Sequence, residues 1–150
     1  MPRRPGYHRD DEGGALRRLL VAYDGSPGAD RALDRVASYA AEGDAVTLIN
    51  VVPSFNQASA LSQHERDANV ARRRAQAADA RRRLFELGVV ATVVIAEGDP
   101  AQSICEHAER EGCDAIVVGT RHLHGIQRVG HRSVSGDIAR RAPCDVIIVQ

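Results

Sequence analysis

Leu19-Leu20-Val21-Ala22-Tyr23-Asp24-Gly25-Ser26-Pro27 is the stretch that decides the fold. Its apolar half makes a short strand, and Asp24-Gly25 turns the chain at its end. Ser26 followed by Pro27 is an N-cap with proline at the first helical position, so a helix starts there. That helix is expected to run to about Glu42, with Ala29, Leu33, Val36, Tyr39 and Ala40 as its buried stripe. Gly43-Asp44 closes it.

The same strand, turn and helix pattern recurs along the chain. A second strand, Ala45–Val52, stops at Pro53, and a polar loop leads to a long helix from about Ser62 to Leu87. Val70, Ala77, Ala80, Leu84 and Leu87 form the inner face of that helix, with Gly88 just past its end. The third strand is Val90 to Ala96. Gly98-Asp99-Pro100 repeats the cap-and-proline signal and opens a helix to about Glu111, with Ile104, Cys105 and Ala108 inward. Ala115–Gly119 is a near-continuous apolar run, as expected of a strand covered on both faces. Residues 120–132 form a loop without apolar periodicity, a helix begins near Ser133, and Val146–Val149 is the last strand. Alternation of this kind predicts an α/β fold: a three-layer open sheet of five parallel strands with helices on both faces. Ligands of such sheets bind beyond the carboxyl ends of the strands, which here means Tyr23–Pro27, Val51–Phe55 and Gly119–Ser135.

Composition narrows the chemistry. All 20 basic residues are Arg, they balance 20 acidic ones, and no Lys occurs among the 150 residues. A P-loop and Schiff-base catalysis are thereby excluded. Zero net charge argues against a general polyanion binder. No apolar run approaches a transmembrane span, and the charged N-terminus lacks the apolar region of a signal peptide. Residues 1–15, with Pro2, Pro5, Gly6, Gly13 and Gly14, read as a disordered leader before one domain over 16–150. Cys105, Cys113 and Cys144 are read as buried thiols in a reducing cytoplasm.

At this point the sequence resembles the universal stress protein family. Leu20-Val21-Ala22-Tyr23-Asp24-Gly25-Ser26 looks like its opening strand and turn, and Gly98-Asp99-Pro100-Ala101 with Cys113–Arg121 like its third and fourth units. Ser133-Val134-Ser135 and Ala142–Val146 match its last helix start and final strand. The resemblance implies a Rossmann-like sheet of the adenine nucleotide alpha-hydrolase-like type, a stress-response regulatory role, and a homodimer formed through Val146–Val149. One branch of the family binds ATP through a loop of the form G-x-x-G-(nine residues)-G-(S/T). Here the first glycine is Gly119, the second position holds His122, the third Arg132, and the hydroxyl residue is Ser133.

Those changes bear on the chemistry. Glycines in a phosphate loop let backbone N–H groups approach the phosphate oxygens, and two side chains now stand at such positions. What remains is the helix start at Ser133, Val134 and Ser135, which presents about half an elementary positive charge to an anion. Arg121, Arg128, Arg132, Arg140 and Arg141 against Asp137 alone make 119–141 locally basic. The resemblance puts Asp24 and Val51 at the nucleoside, and Gly119, Arg121, Ser133, Val134 and Ser135 at the phosphates. Arg132 is expected to supply a guanidinium where a backbone contact is lost. Two readings stay open: a module that binds ATP or another adenine nucleotide, and a dimeric protein-interaction module with a vestigial pocket. Asp24 likewise reads either as a ligand residue or as a turn residue before Ser26.

Other clusters read more plainly. His122, His124 and His131, with His107 nearby in sequence, form a surface cluster rather than a metal site, since no Cys or carboxylate joins them at ligand spacing. Arg72–Arg74 and Arg81–Arg83 alternate with Asp79 and Glu86, the pattern of a solvated, ion-paired helix face rather than a nucleic-acid surface. No G-x-S-x-G elbow, no G-x-G-x-x-G and no nucleophile with its base is present, so the chain is read as a non-enzyme.

Overall fold

The computed structural model describes residues 16–54, 61–120 and 133–150. Within them the elements are β1 (Arg18–Ala22), α1 (Pro27–Tyr39), β2 (Ala45–Val52), α2 (Gln63–Glu86), β3 (Ala91–Glu97), α3 (Pro100–Arg110), β4 (Ala115–Gly119), α4 (Val134–Arg141) and β5 (Asp145–Val149). The expected leader over 1–15 lies outside the described residues.

The strands pair in the order β3-β2-β1-β4-β5, every pair parallel. Leu19 sits level with Val46 on one side and Ala115 on the other, and Val46 with Ala91. Side chains alternate across this sheet. Leu19, Val21, Val46, Leu48 and Val117 meet Ala32, Leu33 and Val36 of α1 and Ala80 and Leu84 of α2. Leu20, Ala22, Ile49, Val51, Ile116 and Val118 meet Ala101, Ile104 and Ala108 of α3 and Ile138 of α4. Coverage of both faces is why β1, β2 and β4 read as continuous apolar runs.

Every described helix begins on a side chain that accepts a backbone N–H. Ser26 takes that of Ala29 (3.2 Å), Asp99 that of Gln102 (2.9 Å) and Ser133 that of Gly136 (3.1 Å). Ser62 and Glu65 cap each other's backbone in a capping box.

Four sequence expectations are corrected. α1 ends at Tyr39, not near Glu42, because the Asp44 carboxylate takes the Ala41 N–H at 2.9 Å and pulls the chain out of the helix. Tyr39 is no core residue: it is 42% exposed and carries the Arg17 guanidinium 4.0 Å from its ring centre. Leu87, expected inside, is 50% exposed as the C-cap of α2. Val70 is half-buried, so the inner face of α2 rests on Ala77, Ala80 and Leu84.

Asn50 departs from the apolar pattern of β2. It is 1% exposed, and neither Oδ1 nor Nδ2 has a hydrogen-bond partner among the described residues. A buried amide left so is costly, and a near-isosteric apolar side chain removes the cost. Asn50→Leu is expected to raise the unfolding free energy by about 1 kcal/mol. Urea denaturation checks this, and a lower midpoint contradicts it.

Candidate functional site

The switch in strand order falls at β1, whose neighbours β2 and β4 are reached by helices on opposite faces. Extending the pairing Ala22↔Ile49 and Val21↔Val117 upward puts Asp24, Val51 and Thr120 at one level across the three strand ends. Asp24 and Val51 are therefore brought together, with Gly119 one step below at the end of β4.

The turn after β1 is built by its own residues. Asp24 Oδ1 accepts the Ser26 N–H at 2.9 Å, and Gly25 takes φ +80°, a conformation that favours glycine. From α2, Arg73 donates to the Asp24 carbonyl at 3.4 Å. Asp24 thus fills the turn role foreseen for it. Tyr23 donates to Asp30 at 3.1 Å; burial first, then that hydrogen bond, pushes its phenol up to about 12, so it stays a neutral donor.

Gly119 has a second reason to be glycine. A Cβ there would lie 2.0 Å from the Gly28 carbonyl oxygen, and one at Gly28 would lie 2.3 Å from the Thr120 carbonyl oxygen. The first turn of α1 packs directly on the exit of β4, backbone on backbone. Arg31 reaches over this contact to the Thr120 carbonyl at 3.3 Å. Sequence reasoning missed Gly28, Arg31 and Asn50. A glycine inside a helix and an amide inside an apolar run were the available signals.

α4 starts at the same edge of the sheet. The Ser133 and Ser135 hydroxyls are 2.9 Å apart, Ser135 is buried, and Val134 is 42% exposed. Asp137 in the first turn pairs with Arg140, which reduces the local excess of positive charge. Arg121, Arg132 and the His122, His124 and His131 cluster lie outside the described residues. His107 is buried on α3 with Nδ1 2.9 Å from Arg110; burial, then that guanidinium, pushes its imidazole down. Among the described residues no group of three His, Cys, Asp or Glu is placed to hold a metal ion. Nor is any helix there long and apolar enough to cross a membrane.

The thiols and arginines follow the sequence reading in part. Cys113 is buried, whereas Cys105 and Cys144 are half-buried against the α3/α4 side of the sheet. Burial pushes the Cys105 and Cys113 thiols up, away from reactivity. Arg82 pairs with Asp79 within α2, while Arg83 crosses to Asp34 (2.6 Å) and Asp30 (3.7 Å) of α1.

Comparison with known proteins places this arrangement. Residues 15–150 match the model of the universal stress protein family. Universal stress protein YxiE of Bacillus subtilis is 30% identical over 147 residues, covering 90% of this chain and 99% of that protein. The crystal structure of a universal stress protein family member from Burkholderia pseudomallei superposes with a TM-score of 0.71 at 27% identity, over 89% of this chain and 96% of the other. A universal stress protein crystallised in complex with cAMP superposes at 0.71 with 25% identity, over 91% and 98% of the two chains. The match spans every strand and helix described above, and the chain belongs to the universal stress protein family.

Proposed function

We propose that this protein is a cytoplasmic stress-response regulator that takes ATP or another adenine nucleotide at the carboxyl ends of β1, β2 and β4. One observation carries the reading. Asp24 and Val51 stand level on adjoining strand ends, in a fold whose cAMP-bound relative covers nearly the whole chain. Asp24 and Val51 would hold the nucleoside. Gly119, Arg121, Ser133, Val134 and Ser135 would hold the phosphates through helix N–H groups and a guanidinium, with Arg132 replacing a lost backbone contact. Binding rather than catalysis is the proposed activity, since the sequence carries neither a G-x-S-x-G elbow nor a P-loop.

A second reading rests on the same residues. His122 and Arg132 replace two loop glycines, and the backbone of Gly119 is committed to α1. On that reading the molecule works as a homodimer through Val146–Val149 of β5, an edge strand whose Ile148 is 41% exposed.

Calorimetric titration with ATP and cAMP separates the two. Saturable binding in the micromolar range is expected, weakened at least tenfold in Asp24→Ala. Asp24→Asn keeps the acceptor for the Ser26 N–H while removing the charge, so equal loss in both variants assigns the effect to the carboxylate. No heat at millimolar nucleotide overturns the nucleotide reading. A gain of affinity in the His122→Gly/Arg132→Gly double variant would trace weak binding to those two side chains.

A further inference from the structure

We infer that the free edge of β3, with the flank of α2 beside it, is a docking groove for an acidic, extended segment of another protein. β3 is the terminal strand of the sheet on the side away from β5. Gly98 gives its N–H to Val52 (3.0 Å) and takes that of Ser54 (3.4 Å), so alternation along a parallel ladder turns the backbone groups of Val93 and Ile95 outward. β3 holds no proline, and its one charge is Glu97 at its carboxyl end. Exposed edges are ordinarily blunted by such residues, because an open row of donors and acceptors pairs readily with another strand.

The surface beside this edge is apolar, with two arginines set against one aspartate. Phe85 is 68% exposed and Val90 75%, and with Ala78, Asp79, Arg81, Arg82 and Ala91 they line a hollow of about 530 Å³. A strand added to β3 would lay alternate side chains into this hollow, which gives the site selectivity as well as backbone pairing. Arg81 has no carboxylate partner among the described residues. Among the described residues Arg82 meets only Asp79, in a pair with both side chains 69% exposed. The complementary occupant therefore alternates apolar residues with carboxylates.

The probe is a capped nine-residue peptide of alternating Val and Glu, titrated into the full isotope-labelled chain and followed by amide NMR and hydrogen exchange. Shift changes at Arg81–Phe85 and Ala91–Glu97, with slowed exchange at Val93 and Ile95, are expected. Binding should be at least tenfold tighter than for the matching Val and Lys peptide. Arg81→Glu/Phe85→Ser, two exposed changes, should abolish it with the melting temperature preserved. Equal binding of the two peptides, or no protection at Val93 and Ile95, overturns the inference. So does self-association of the chain that Phe85→Ser removes, since a second copy then covers the groove.

Discussion

An alanine at position 119 is expected to lower the unfolding free energy by about 3 kcal/mol or more. The added methyl would lie 2.0 Å from the Gly28 carbonyl oxygen, 2.2 Å from its carbon and 2.9 Å from the Ala29 nitrogen. All three are backbone atoms in the first turn of α1, so no side chain can swing aside. Relief requires α1 to lift from β4, which opens the packing of Ala32, Leu33 and Val36 against Val117. Urea unfolding of Gly119→Ala should show a midpoint well below wild type with the denaturant slope preserved. A change within about 0.5 kcal/mol, the range of an ordinary surface substitution, would mean that the helix approaches less closely than described. The result matters for the site as well, because it separates the packing role of Gly119 from any role toward phosphate.

Asp44→Ala is expected to cost about 3 kcal/mol at neutral pH, as the loss of a buried charged partner does. Its side chain is 2% exposed and accepts from the Arg17 N–H (2.9 Å), Arg17 Nε (3.2 Å), Arg17 Nη2 (2.8 Å) and the Ala41 N–H (2.9 Å). Burial alone would push this carboxyl up. Hydrogen bonds from the Ala41 and Arg17 N–H groups, then the Arg17 guanidinium, outweigh burial and hold it below the ordinary carboxylate value. A carboxylate depressed in the folded state contributes stability above its unfolded pKa of about 4. That contribution disappears as pH falls through the lower folded value. The gap between wild type and Asp44→Ala should therefore be full at pH 7 and narrow in strong acid, below the folded value. Parallel urea titrations across that range check it; an equal gap throughout would assign the loss to packing instead of charge.

Much of the fold was legible because its signals are local. Ser26-Pro27 and Asp99-Pro100 mark helix starts through groups within three residues of each other, and the β-branched runs name their own strands. What escaped was tertiary. Asp44 reads as a turn residue, yet it ends α1 by reaching Ala41 and ties β1 in through Arg17. Tyr39 keeps the helical spacing of a core residue, but Arg17 offers its ring a charged partner at the surface. Of the candidate site, the family motif located Asp24, Val51, Gly119 and the Ser133 helix start. It could not show that Gly119 abuts Gly28, since neither residue carries a side chain to advertise the contact.

The two terminal strands have a consequence for stoichiometry. β3 and β5 stand four strand spacings apart, about 19 Å across the sheet. Whatever pairs with one edge leaves the other unobstructed, so the two proposed associations would add without competing. A dimer closed through β5 would carry its β3 edges at opposite ends of one continuous sheet. A partner with two matching segments on a long enough linker would then be held twice, and its avidity would exceed the strength of either contact.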